Sequence, residues 1–166
     1  YIVPTPIGNL ADITYRAIEV LKSVNAILAE DTRQPKKLLD HYQVSQKLIP
    51  YHQHNEHKNL QLVIERLLNG EILAVCTDAG TPGISDPGFL LIREAIQANI
   101  EVITLPGPVA AIVAIVGSGL PCDAFIYEGF LPHKKGKQTK IQNLAEEKRT
   151  TIFYESPHRI IKTLQM

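Results

Sequence analysis

The sequence predicts an α/β fold: an N-terminal parallel β-sheet domain with helices on both faces, followed by the beginning of a second α/β domain. Three observations carry that expectation. Short apolar runs alternate with stretches of helical spacing along the first two thirds of the 166 residues, as in successive βαβ units. Residues 72–77 form a run without polar alternation, the pattern of a strand buried on both faces. The Gly/Pro-rich break Gly117-Ser118-Gly119-Leu120-Pro121 then separates this region from a more polar one, so the expected domains are 1–117 and 118–166.

The elements follow in order. Residues 1–4 are a short apolar segment ending in the turn-rich Pro4-Thr5-Pro6-Ile7-Gly8-Asn9. Ile13, Ala17, Val20, Leu21 and Val24 share one helical face. Residues 25–29 read as a strand closing on Glu30-Asp31-Thr32-Arg33, and a basic helix follows over 35–42, with Pro35 suited to its first turn. A short strand is expected at 48–51 and a helix at 56–68, stopped by Gly70. After the 72–77 strand come the loop 78–88, a helix to Ala98, a strand at 101–105 and the break Pro106-Gly107-Pro108. Val109–Val116 is uniformly apolar and suits either a core helix or an interface helix. Strands at 124–130 and 151–154 then flank a polar helix at 134–147, and a helix starts near Pro157.

Composition narrows the function. Lys+Arg and Asp+Glu are 17 each, which excludes a uniformly basic nucleic-acid binder. The balance is nevertheless uneven: residues 1–122 hold nine basic against twelve acidic side chains, and residues 123–166 hold eight against five. His133-Lys134-Lys135-Gly136-Lys137 concentrates the basic excess, either as a solvated face or as a phosphate-contacting patch. No apolar run reaches the length of a membrane span. Cys76 and Cys122 are too few for a disulfide framework and lack zinc-site spacing. These features point to a cytoplasmic protein. The chain opens at Tyr1 and stops at Met166 inside a predicted helix, so it is expected to be part of a longer one.

Three unusual loops, 4–9, 78–88 and 106–108, each follow a predicted strand. In a parallel sheet they must meet at the carboxyl edge, where such folds bind ligands. The loop 78–88 holds three glycines and two prolines; it suits a ligand with both donors and acceptors. It is not a Walker A loop, since no Gly-Lys-Ser/Thr follows, and Gly117-Ser118-Gly119 lacks the third glycine of a dinucleotide fingerprint. His52, His54, Glu56 and His57 invite a metal reading, but the HExxH spacing is absent and no metal is expected. Asp31 can serve as a base, as a helix cap or as the partner of Arg33. Glu155 and His158 follow a strand in the second region. No serine has the nucleophile-elbow setting of a hydrolase.

Seven segments occur in order: Pro4-Thr5-Pro6-Ile7-Gly8-Asn9-Leu10, Ala29-Glu30-Asp31-Thr32-Arg33, Tyr51-His52-Gln53-His54-Asn55-Glu56, the loop 78–88, Pro106-Gly107-Pro108, Tyr127-Glu128-Gly129-Phe130-Leu131-Pro132 and Phe153-Tyr154-Glu155-Ser156-Pro157-His158-Arg159. Together they resemble the ribosomal RNA small-subunit methyltransferase I family, within the tetrapyrrole methylase (class III methyltransferase) superfamily. The resemblance implies S-adenosyl-L-methionine-dependent 2′-O-methylation of a cytidine ribose in the decoding region of 16S rRNA. It also implies the small ribosomal subunit as partner, a homodimer, and a cofactor folded between two domains. Matched motif to motif, it puts Pro6, Ala79, Gly80, Thr81, Ile84, Val109 and Ala110 near the cofactor. Val109 stands where the family usually has a small hydroxyl residue, and Thr81 replaces the superfamily aspartate. Asp31 and Glu155 are the candidate catalytic carboxylates, since a 2′-hydroxyl is a poor nucleophile. Arg33, Lys36, Lys37, Lys134, Lys135 and Lys137 are the candidate RNA contacts. Two other functions fit less of the sequence: a methylase of a tetrapyrrole-like small molecule, and a non-catalytic RNA-binding module.

Overall fold

The computed structural model describes residues 1–85, 88–133 and 135–166, with the backbone alone for 53–58. The chain divides into two compact units, Tyr1–Val109 and Ala110–Met166.

In the first unit, helices α1 (Tyr15–Ser23), α2 (Arg33–His41), α3 (Gln53–Leu68) and α4 (Phe89–Gln97) alternate with strands β1 (Ala26–Ala29), β2 (Leu48–Pro50) and β3 (Leu73–Cys76). The strands are parallel in the order β2-β1-β3, with Ala29 opposite Pro50 and Cys76. β1 and β3 are buried at every residue, as the apolar run requires. Tyr1–Val3 extends the layer: the Val3 amide donates to the Val75 carbonyl at 2.9 Å and the Ile2 amide to the Ile103 carbonyl at 2.9 Å. The expected strand at 101–105 reduces to a single bridge at Thr104, because Ile2 is its neighbour on that side and Pro106 ends it.

Successive strand residues point to opposite faces, and both faces are covered. Ile27, Ala74 and Cys76 pack with Ala17, Leu21 and Leu39 from α1 and α2. Leu28, Leu73 and Val75 pack with Val63, Ile64 and Leu91 from α3 and α4. Each helix starts where its sequence permits. Thr14 caps α1 by accepting the Ala17 amide at 3.1 Å, and Pro35 lies buried in the first turn of α2.

The second unit comprises α5 (Ala110–Ser118), β4 (Phe125–Phe130), α6 (Lys137–Ala145), β5 (Thr150–Tyr154) and α7 (Ile160–Leu164), with β4 and β5 parallel. The two compact units divide at 109/110, a few residues before the Gly/Pro-rich break at 117–121. The reason is local: the Tyr154 hydroxyl on β5 accepts the Ala111 amide at 3.1 Å, tying the start of α5 to the second sheet. The apolar helix is only partly a core helix, since Ala111 and Ile115 are buried while Ile112, Val113 and Val116 are exposed. Helix α6 starts three residues later than expected because Gly136 takes the left-handed conformation (φ 85°) immediately before it.

Burial pushes the Cys76 thiol up to about 12, whereas Cys122 is exposed. Titration with a thiol reagent is therefore expected to find one reactive cysteine in the native protein and two in denaturant.

Candidate functional site

The three loops meet, and hydrogen bonds stitch them together. The Thr5 amide donates to the Gly80 carbonyl and the Gly80 amide to the Thr5 carbonyl, each at 2.9 Å. The Thr5 hydroxyl donates to the Thr77 carbonyl at 3.1 Å, and the Thr81 hydroxyl to the Pro108 carbonyl at 3.2 Å. The first loop is thus bonded to the second, and the second to the third. Gly80 can hold this position because its φ of 86° lies in the left-handed region. A Cβ there would come within 3.6 Å of Ile7 Cγ2 and 3.7 Å of the Pro108 carbonyl oxygen. At Gly107 the constraint is steric: a Cβ would overlap Pro4 Cβ and lie 2.8 Å from Pro4 Cγ.

The expected cofactor residues divide by what the structure does with them. Gly80 and Thr81 hold the loops together, so the Thr81 hydroxyl proton is already committed. Ala79 is exposed, Pro6 half-buried, and Ile84 offers an apolar side chain that is 44% exposed. Val109 is the last residue of the first unit and Ala110 the first of the second.

At the same edge, Asp31 follows β1 and Asp78 follows β3, two residues past the paired Ala29 and Cys76. Asp31 turns out to be both cap and ion-pair partner. It accepts the Arg33 amide at 2.9 Å and the Arg33 guanidinium at 2.5–3.0 Å. These bonds hold its carboxyl down at about 2, which makes it a weak proton acceptor. Asp78 behaves in the opposite way. Desolvation and the Asp31 charge hold its carboxyl above the usual aspartate range, against the Asp31 amide and the Arg33 charge. Sequence reasoning passed over Asp78; its place as the first residue after a buried strand was the clue.

Two of the expected site residues in the second unit lie in one buried ion-pair cluster. Lys137 is buried, and its ammonium donates to Glu155 at 2.7 Å and to the Thr163 hydroxyl at 2.5 Å. Its ammonium is thus turned toward Glu155 and Thr163 instead of standing free beside the exposed Lys135. Glu155, with a side chain 1% exposed, also accepts the Ser156 amide at 2.8 Å and the Arg159 guanidinium at 2.7–2.8 Å. Lys137, Thr163, Ser156 and Arg159 hold its carboxyl far below the usual glutamate range. A carboxylate so fully engaged anchors its neighbours and is a weak proton acceptor.

Among the other expected RNA contacts, Lys36, Lys37 and Lys135 are exposed, and Lys36 pairs with Asp40 at 3.6 Å. Arg33 is exposed but pairs with Asp31. Lys134 lies outside the described residues, as do the side chains of His54, Glu56 and His57. Among the described residues, no group of three or more potential ligand side chains is placed to hold a metal, and no helix is long and apolar enough to cross a membrane.

Asp31, Glu147 and Glu155 all have lowered folded-state values. Their contribution to stability is complete above the ordinary carboxylate range and is lost as pH falls through the folded values. Acid unfolding followed by circular dichroism is expected to begin below about pH 4, and the Glu155→Gln variant to show a weaker dependence there.

A parallel sheet covered on both faces, with three bonded glycine- and proline-rich loops at its carboxyl edge, defines an α/β domain with its loops gathered at one edge. The family model for Tetrapyrrole (Corrin/Porphyrin) Methylases matches residues 1–166, and the chain belongs to that family. It is 53% identical over 166 residues to the Ribosomal RNA small subunit methyltransferase I of Vibrio cholerae, covering 99% of this chain and 58% of that protein. It is 51% identical to the protein of the same name from Escherichia coli O157:H7, with the same coverage. The chain thus spans a little under three fifths of the length of the curated relatives it matches. Among solved structures, diphthine synthase aligns with a TM-score of 0.75 at 12% identity, covering 94% of this chain and 63% of the other. Uroporphyrin-III-C-methyltransferase from Thermus thermophilus aligns with a TM-score of 0.59 at 20% identity, covering 78% and 58%. At these identities the structures speak for the fold alone.

Proposed function

We propose that the chain forms part of an S-adenosylmethionine-dependent methyltransferase acting on small-subunit ribosomal RNA, with a cytidine ribose 2′-oxygen in the decoding region as acceptor. The observation that carries this reading is the bonded loop edge at Thr5, Gly80, Thr81 and Pro108, taken with the names of the relatives. The residues fit such a cofactor. Gly80 keeps a Cβ out of the space beside Ile7 and Pro108, Ile84 offers apolar surface, and Asp31 and Asp78 supply negative charge toward a cationic ligand. Pro6, Ala79, Gly80, Thr81, Ile84, Val109 and Ala110 are the residues assigned to hold it.

When bound, S-adenosylmethionine supplies a methyl group on a cationic sulfur. The chain's own task is mainly positioning, which can lower a barrier substantially for an in-line displacement. The hydroxyl proton needs an acceptor. Asp31 is too weak a base for this, and its carboxylate orients Arg33. Asp78 is the better acceptor at this edge. Arg33, Lys36, Lys37 and Lys135 are assigned to RNA phosphates, and recognition of the 2′-hydroxyl distinguishes RNA from DNA.

The test is methylation of small ribosomal subunits by a protein extended to the length of its relatives, with the modified nucleotide mapped. Label on a cytidine ribose is expected. Methyl transfer to a tetrapyrrole alone would overturn the reading.

A further inference from the structure

We infer that a basic pocket in the second unit, formed by His133, Lys137, Arg159 and Lys162, is a binding site for a phosphate group of the RNA backbone. This rests on the rRNA reading above and extends it to a site away from the loop edge. The pocket is a cavity of about 340 Å³ lined by these four side chains and Met166.

What makes it a built site is the way its cations are fixed. Glu155 sits behind the cavity and is not among its lining residues. It takes Lys137 on one carboxylate oxygen at 2.7 Å and Arg159 on the other at 2.7–2.8 Å. One carboxylate therefore orients two cations, and with Lys162 the cluster keeps a net positive charge. Arg159 also approaches His133, its Nη1 lying 2.5 Å from Nδ1. An arginine can only donate, so this contact makes Nδ1 an acceptor. Arg159 and Lys162 present donors, and a phosphate oxygen is a strong acceptor. Holding the guanidinium and ammonium in place before the ligand arrives lowers the ordering cost of binding.

This corrects the sequence reading of the basic run. Lys134, Lys135 and Lys137 looked like one exposed patch. The structure turns Lys137 inward and brings Arg159 and Lys162, more than twenty residues away in sequence, to the same cavity. Phosphate chemistry could equally come from free inorganic phosphate, so the experiment separates the two sources.

Binding of a fluorescein-labelled 20-nucleotide single-stranded RNA is measured by anisotropy across a salt series, using the wild-type chain, Lys162→Ala, His133→Ala and the control Lys148→Ala. Lys148 is exposed on the same unit and lies outside the pocket lining. Neither Lys162 nor His133 contacts Glu155, so both pocket variants keep the anchor. A second arm titrates inorganic phosphate and follows its ³¹P signal. Lys162→Ala is expected to weaken RNA binding by about five- to tenfold near 0.1 M salt, and to reduce the slope of log K against log salt by about 0.7, one phosphate contact on a single strand. Lys148→Ala is expected to stay within about twofold. Equal losses in Lys148→Ala and Lys162→Ala would overturn the pocket and leave only diffuse attraction. Phosphate binding that Lys162→Ala abolishes, with RNA affinity unchanged, would overturn the RNA assignment in favour of free phosphate. If the wild-type chain bound RNA and every variant bound equally, the pocket assignment alone would fall. If the wild-type chain bound no RNA, the pocket assignment would fall, and methylation of small ribosomal subunits by the extended protein would still decide the rRNA reading.

Discussion

Gly107→Ala is expected to lower the stability of the first unit by about 1–3 kcal/mol, the usual cost of forcing an extra methyl into a packed site. Gly107 is not a positive-φ glycine, so alanine meets no backbone penalty there. The whole cost comes from overlap with the Pro4 ring, which is fully buried and rigid. If Pro4 shifts, Thr5 moves with it, and Thr5 makes the two backbone bonds to Gly80. The effect should therefore reach the loop edge, weakening S-adenosylmethionine binding about tenfold for each 1.4 kcal/mol that falls on loop geometry. Gly117→Ala is the control. Gly117 lies in α5, and a Cβ there meets nothing within 4 Å, so alanine should stabilise by about 0.5–1 kcal/mol. Urea unfolding of both variants decides the matter; equal midpoints would show that Pro4 yields to the methyl.

Glu155→Gln is expected to produce the largest loss in the second unit. It removes the negative charge on which Lys137 and Arg159 both converge, and Lys137 is too buried to recover hydration. Breaking a buried pair from one side is costly, whereas replacing both partners with apolar groups can be neutral. Two results should follow. Hydrogen exchange of the β4 and β5 amides should accelerate in Glu155→Gln, and the double variant Glu155→Leu with Lys137→Met should recover at least about half the lost protection. Were Glu155 a proton acceptor in catalysis instead, Glu155→Gln would leave exchange unchanged and abolish methyl transfer.

The layered first unit was legible because its apolar pattern has one solution. A run such as Leu73–Cys76 can be buried on both faces only inside a parallel sheet. The meeting of the three loops was legible for a related reason, since strands running in one direction deliver their following loops to one edge. The weak pairing at Thr104 was not, because it depends on Ile2 entering from a hundred residues away. The site chemistry was less legible. Lysines are seldom buried, so nothing in His133–Lys137 singled out Lys137, and its partner Glu155 is eighteen residues distant. Asp31 and Asp78 are the same residue type at equivalent register positions; Arg33 binds Asp31 and lowers its proton affinity, whereas desolvation and the Asp31 charge raise that of Asp78.

The place of Tyr1–Val3 between β3 and Thr104 has a consequence for how the chain is made. Ile2 is synthesised well before its two bridge partners, Val75 and Thr104, which are among the later residues of the unit. At about 5–20 residues per second, the segment waits roughly 5–20 s before its second partner has been synthesised. The sheet β2-β1-β3 can assemble in that interval with one flank open, a state that invites wrong strand addition. The first unit therefore closes from its end back to Tyr1–Val3, and shielding of that segment during synthesis should raise the yield of correctly folded chains.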